Sequence, residues 1–305
     1  SRVLSCALAE PAASAAAAST IAASACFARP AARHRIVPAI SLPPIYKASQ
    51  CCTEAGAGPS LPDMRIIPRQ RWFRRLLLCA LLIAVLLGAK AWSDTMGDPV
   101  VRRASFALRG MAPGTQPLRA VLLADIHVAG PDMPPSRLRR IVARLNKLNP
   151  DLVLIAGDLV SEKTVATHVY TAAQVTAPLG GFKSRLGTVA VLGNHDHWYA
   201  PEEIIAGLRI VGVTVLNNDA VARGPVLIGG EPATFAALDA LPPAPRLIVS
   251  HTPDTVPDLL SPVVAVFAGH THCGQIHFPF IGALTYASSY GDRYACGAID
   301  DGGQP

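Results

Sequence analysis

The feature that most constrains this chain is a plan used five times: a short apolar run that ends on a side chain able to bind metal or carry a proton. Val121-Leu122-Leu123-Ala124 leads into Asp125-Ile126-His127, Leu152-Val153-Leu154-Ile155-Ala156 into Gly157-Asp158, and Thr188-Val189-Ala190-Val191 into Leu192-Gly193-Asn194-His195-Asp196-His197. Arg246-Leu247-Ile248-Val249-Ser250 leads into His251, and Val263 to Phe267 into Gly269-His270-Thr271-His272. Runs of this length, apolar throughout, read as strands buried on both faces. Such strands need helices to cover them, so the expected class is α/β. Polar groups at the ends of neighbouring strands then converge on one site.

The stretches between the runs supply those helices. Leu138, Ile141, Val142 and Leu145 share one face of a helix expected over about 136–148, with Ser136 as its N-cap. Further helices are expected near 164–177, 201–210 and 232–240. Strands are expected at 118–124, 152–156, 188–192, 213–216, 225–228, 246–250 and 263–267. Residues 93–117 read as a linker, and no internal repeat is present.

Asp125, His127, Asp158, Asn194, His251, His270 and His272 offer carboxylate, amide and imidazole donors. Seven donors exceed one tetrahedral zinc and suit two five- or six-coordinate divalent ions, Mn, Fe, Zn or Co. Paired ions about 3.5–4 Å apart generate hydroxide near neutral pH and steady both oxygens of a displacement at phosphorus. Phosphoester hydrolysis by attack of a metal-bound hydroxide is the expected reaction.

Taken in order, Asp125-x-His127, Gly157-Asp158, Gly193-Asn194-His195-Asp196, His251 and Gly269-His270-x-His272 resemble the calcineurin-like metallophosphoesterase family over about 118–285. The resemblance implies a four-layered α/β/β/α sandwich. It also implies that Asp125, His127 and His272 hold one metal, Asn194, His251 and His270 a second, and that Asp158 bridges them. His195 would face the phosphate without ligating and aid the leaving group, oriented by Asp196. Gly269 to Ile276 with the Phe-Pro stretch after it is similar to a bacterial membrane-associated branch related to UDP-2,3-diacylglucosamine hydrolases, which implies a lipid-linked diester or pyrophosphate substrate. Where such relatives continue with further strand sequence, this chain ends at Pro305, so the domain expected over 118–305 reads as C-terminally incomplete.

The N-terminal part follows different rules. Residues 1–75 hold ten Lys/Arg and three Asp/Glu, a charge of +7 out of the chain's +6, which leaves −1 for the rest. Basicity confined to the arm argues against a nucleic-acid partner for the domain. Residues 1–63, rich in Ala, Ser and Pro, are expected to be disordered, and Met64 to be the natural start. Arg65, Arg69, Arg71, Arg74 and Arg75 then precede the apolar run Leu76 to Ala89, with Ala89-Lys90-Ala91 as a small-x-small site. Residues 64–92 therefore read as a signal peptide or signal anchor, contacting membrane through 76–92, with the catalytic domain on the non-cytoplasmic side.

Other polar residues carry plainer expectations. His168 and His197 read as exposed polar groups, His277 as a candidate cleft residue, and Cys273 as a small buried thiol. Trp198 and Tyr199 read as the edge of the cleft or a cap on the next helix, and Arg137, Arg139, Arg140 and Arg144 as a solvated helix face. Two other functions share this pattern: a phosphomonoesterase or nucleotidase with a soluble substrate, and a metal-free scaffold, which would lack ligands that are all present here. Oligomeric state is not legible.

Overall fold

The computed structural model describes residues 2–5, 69–161, 166–230, 235–259, 263–278 and 280–300. Its strands are β1 (Arg2–Ser5), β2 (Ala120–Leu123), β3 (Leu152–Ala156), β4 (Thr188–Val191), β5 (Thr214–Val215), β6 (Ala220–Arg223), β7 (Val226–Gly230), β8 (Arg246–Val249), β9 (Ala265–Ala268), β10 (His277–Phe278), β11 (Gly282–Ala283) and β12 (Gly297–Asp300). Its α-helices are α1 (Arg69–Met96), α2 (Pro135–Asn146), α3 (Ala172–Thr176), α4 (Asn194–Tyr199), α5 (Pro201–Ile210) and α6 (Phe235–Asp239).

Two sheets carry the domain among the described residues. One is parallel, in the order β2-β3-β4-β5. The other runs β12-β1-β9-β8-β7-β6, parallel from β7 through β8 and β9 to β1, with antiparallel strands at both edges. Side-chain alternation sorts the apolar residues into three clusters. Leu123, Val153, Ile155 and Ala190 meet Leu138, Ile141, Val142, Ile204 and Leu208 of α2 and α5. Leu152, Leu154, Val189 and Val191 turn the other way, onto Val226, Ile228, Leu247, Val249 and Phe267 of the second sheet. Leu227, Ile248 and Val266 then meet Leu238 of α6, with Val256 and Tyr294, on the far face. The layers are thus helix, sheet, sheet, helix. Leu138, 0% exposed, is central to the first cluster, and truncating such a residue to Ala costs about 2–5 kcal/mol.

Several boundaries differ from those expected. The helix expected over 164–177 is confined to Ala172–Thr176, because Thr171 and Gln174 form a capping box there and a 3-10 turn takes over at Ala177 with Pro178; residues 162–165 lie outside the described set. α2 begins at Pro135 after Pro134, so Pro at the first turn, not a Ser136 cap, starts it. α4 forms where the sequence reads as a loop. Of the arm 1–63 only Arg2–Ser5 is described, as a strand between β9 and β12.

The chain forms two compact units, one of residues 17–83 and one of 1–16 with 84–305. In the first, the described part is the N-terminal half of α1. The helix is exposed around its circumference, and Gln70–Met96 is long and apolar enough to cross a membrane. At about 1.5 Å per residue it exceeds the roughly 30 Å hydrocarbon core. In the second unit Arg137 corrects the solvated-face expectation. It is 5% exposed, and its guanidinium donates to the carbonyls of Thr95 (2.8 Å), Asp132 (2.6 Å) and Gly97. A cation on the free carbonyls of a helix C-terminus satisfies groups left without partners and opposes the negative end of the dipole. Arg144 adds a salt bridge to Asp98 at 3.2 Å. Arg139 and Arg140 are exposed, as expected.

Candidate metal centre

The site is built from backbone geometry before any side chain is considered. Asp125, His127, Asp158, His270 and His272 all adopt the left-handed region, with φ of 52°, 50°, 54°, 69° and 48°. Non-glycine residues seldom do so, and where they cluster the surrounding fold is holding strain at a functional place. Glycines allow the strand ends to close on one another. A Cβ at Gly193 would lie 2.1 Å from Asp158 Oδ1, and one at Gly269 would lie 2.5 Å from Ala124 Cβ and 2.9 Å from Asp125 Oδ2. No larger residue fits at either point.

The expected donors come together. One oxygen or nitrogen from each of Asp125, His127, Asp158 and His272 lies within 4.8 Å of the others, and Asp158, His251 and His270 form a second such group. Asp158 belongs to both. Asn194 Oδ1 lies 2.9 Å from His251 Nε2, which brings the amide to the second group. His127 Nδ1 faces the Val160 carbonyl at 3.1 Å and His251 Nδ1 faces that of Ala156 at 2.8 Å. A carbonyl can only accept, so both Nδ1 atoms carry the proton and both rings present Nε2 to the cleft. Asp125 accepts the His270 N–H at 2.9 Å, which ties β2's end to β9's.

Donor atoms that face one another are the mark of a cation site. His127 Nε2 and His272 Nε2 are 3.1 Å apart, as are His270 Nδ1 and His251 Nε2. Two acceptor lone pairs repel at that distance unless a proton or a metal lies between them. The donor set, hard oxygens with borderline imidazoles in two groups around a shared carboxylate, suits two divalent ions.

The same groups shift one another's protonation. Burial alone would raise the Asp158 carboxyl, but the hydrogen bond and charge of His251, with His127 beside it, hold it down at about 2. Burial opposes charge on His251, yet the Asp158 contact at 3.3 Å and the Asp125 charge hold its imidazolium up to about 9. Burial pushes His127 down to about 4, with Asp158 only partly offsetting it. Burial also raises Asp125, against the nearby histidines.

His195 lies over this cleft. Its backbone N–H donates to Asp158 Oδ1 at 2.9 Å, and its ring meets His127 and Trp198 edge-on, each at 4.9 Å between centroids. Its Nδ1 is buried without a hydrogen-bond partner. The expected contact from Asp196 is therefore not made. Asp196 is fully buried at the third position of α4, and its carboxylate accepts the backbone N–H groups of Leu159 (2.8 Å), Val160 (3.1 Å) and Gly193 (2.9 Å). It latches the β3 and β4 loops together; burial pushes its pKa up to about 6 against those three donors.

Cys273 also differs from expectation: it is joined to Cys296 in a disulfide. The chain leaves the ligand loop at Cys273 and returns after 23 residues, a proximity that spacing alone does not reveal. Thr271 Oγ1 adds a bond to the Ala295 carbonyl at 2.7 Å. His168 and His197 are exposed. Trp198 is exposed and edges the cleft through His195, while the Tyr199 hydroxyl donates to the Tyr170 carbonyl. Of His277 only the backbone is described.

A family model described as calcineurin-like phosphoesterase matches residues 118–274, which holds every donor named above. The chain belongs to that family. A transmembrane protein with a metallophosphoesterase domain from Danio rerio is 30% identical over 251 residues, covering 74% of this chain and 55% of that protein. An uncharacterized metallophosphoesterase of Helicobacter pylori is 31% identical over 188 residues, covering 57% and 49%. Phosphodiesterase YaeI of Escherichia coli is 31% identical over 196 residues, covering 59% of this chain and 70% of that protein. The chain spans about half the length of the first two relatives.

Proposed function

We propose that this chain is a dinuclear metal-dependent phosphoesterase that hydrolyses a phosphodiester or pyrophosphate bond. The observation that carries the reading is the pair of donor groups sharing Asp158. When bound, two divalent ions would supply a hydroxide nucleophile near neutral pH and neutralise charge on the phosphoryl oxygens. Asp125, His127 and His272 would hold one ion, Asn194, His251 and His270 the other, with Asp158 between. Val160 and Ala156 fix the tautomers of His127 and His251, so their Nε2 atoms need no reorganisation on binding.

His195 takes the part of a proton donor and charge stabiliser at the leaving oxygen. Asp196 acts at one remove, by holding the loop from which His195 projects.

The name of the Escherichia coli relative favours a diester over a monoester. A soluble-substrate phosphomonoesterase remains the alternative. Hydrolysis of bis(p-nitrophenyl) phosphate at least tenfold faster than of p-nitrophenyl phosphate, with added manganese, supports the diesterase; the reverse order supports the alternative.

The membrane helix and the transmembrane relative suggest a lipid-linked substrate, of which UDP-2,3-diacylglucosamine is the example the sequence resemblance supplies. The arginines ahead of the apolar run that begins at Leu76 and the Cys273–Cys296 disulfide both favour the non-cytoplasmic side, where a nucleotide-bearing lipid is out of reach. A lipid phosphodiester or pyrophosphate without a nucleotide fits both observations.

A further inference from the structure

After the ligand His272 the chain enters the β10–β11 hairpin, and four apolar side chains in and beside it point into water. Ile276 is 50% exposed, Phe280 109%, Ile281 76% and Leu284 63%. Single exposed apolar residues are ordinary on protein surfaces, but four within nine residues form a patch. No Asp, Glu, Lys or Arg occurs between Gly274 and Gly291. Phe280 sits at φ 67°, a conformation that a bulky side chain adopts only when the turn imposes it.

The base of this hairpin is not loose. A Cβ on Gly274 would meet Ala283 at 2.7 Å and Tyr286 at 2.5 Å, so β11 is pressed against the ligand loop. Ser288 Oγ donates to Asp254 at 2.6 Å and Ser289 N–H to the same carboxylate at 2.8 Å, binding the following segment to the loop after His251. Cys296 ties it back to Cys273. An apolar tip on a fixed base projects from the loops that carry ligands of both metal groups.

The chain itself indicates what meets that tip. α1 ends at Met96, and Arg137 fastens that end to α2 through the Thr95 and Gly97 carbonyls. A domain joined through the chain to a membrane helix meets the bilayer surface at a high effective concentration. Interfacial insertion favours apolar and aromatic side chains without charge.

We propose that the β10–β11 hairpin inserts Phe280 and Ile281 into the bilayer, with Ile276 and Leu284 at its edge, and so presents the metal centre to phosphoesters at the lipid surface. The proposal rests on reading α1 as a membrane anchor and not on the reaction assigned above. The test is photo-crosslinking of the full-length chain reconstituted in phosphatidylethanolamine/phosphatidylglycerol vesicles, with benzoylphenylalanine in place of Phe280 or of Ile281, and in place of exposed Glu203 on α5 as the control. Lipid adducts at least tenfold more abundant at either hairpin position than at Glu203 are expected. Adducts equal to the control, or crosslinks only to a second copy of the chain, overturn the proposal. Thermal melting shows that each variant is folded, and the second hairpin position serves if the first does not fold. Hydrolysis of soluble bis(p-nitrophenyl) phosphate is measured separately, so loss of the phosphoesterase reading leaves the crosslinking result standing.

Discussion

Asp158 and His251 together show what a single residue pair decides. In protein stripped of metal they form an ion pair, with Asp158 held at about 2 and His251 at about 9. The depressed carboxyl adds stability that is present above its unfolded value near 3.9 and is lost as pH falls toward 2. The raised imidazole adds stability that is full below about 6.5 and is lost as pH rises through 9. The pair's own contribution should therefore be largest between about pH 4 and 6.5, read as the difference in melting temperature between chelator-treated protein and its Asp158→Asn variant; a difference that grows from about pH 7 to 9 would contradict the pairing. Metal must displace the His251 proton, so divalent-ion affinity should rise with pH up to about 9. Titration calorimetry in buffers of different ionisation enthalpy would show the proton released; none released means that His251 is not a ligand. His195→Ala should lower turnover by about 10²–10⁴-fold with metal content unchanged. The donors were legible because each follows an apolar strand. The role of Asp196 was not, because sequence does not show that three backbone amides claim its carboxylate.

Elements are legible in proportion to how locally they are determined. β3 and α5 lie where periodicity and the first-turn Pro201 put them. The short α3 does not, because its start is set by the Thr171 capping box and its end by the turn at Pro178. The disulfide and the Arg137 clamp join segments 23 and about 40 residues apart, and such pairings leave no local trace. Each gives a prediction. Replacing both Cys273 and Cys296 by Ser should lower stability by about 2–4 kcal/mol, and should weaken the metal held with His272 more than its neighbour. Urea unfolding with and without metal would check this; an unchanged midpoint would remove the disulfide from the account. Arg137→Met should loosen the joint between α1 and α2, seen as faster amide exchange at 95–98, while hydrolysis of a soluble diester stays within twofold. Unchanged exchange there would show that the clamp holds nothing.

At the scale of the molecule, strands in two stacked sheets deliver polar residues to one place and leave both outer faces to helices. Alternation along β2–β4 and β7–β9 feeds three clusters; the continuous apolar runs pointed to buried strands covered by helices, while the order of the four layers was implied by the family resemblance. The non-cytoplasmic side is proposed for this domain, on the arginines ahead of Leu76 and the Cys273–Cys296 disulfide. A periplasmic reporter fused after Pro305 should be active, and activity of a cytoplasmic reporter in its place would reverse the orientation. The account's central claim is that Asp158 is shared by two cations. Elemental analysis of the purified, detergent-solubilised chain tests it most directly: about two equivalents of divalent metal per chain are predicted, with both diminished in Asp158→Asn. A single equivalent, or an Asp158→Asn variant that keeps its metal and its hydrolytic rate, would contradict it.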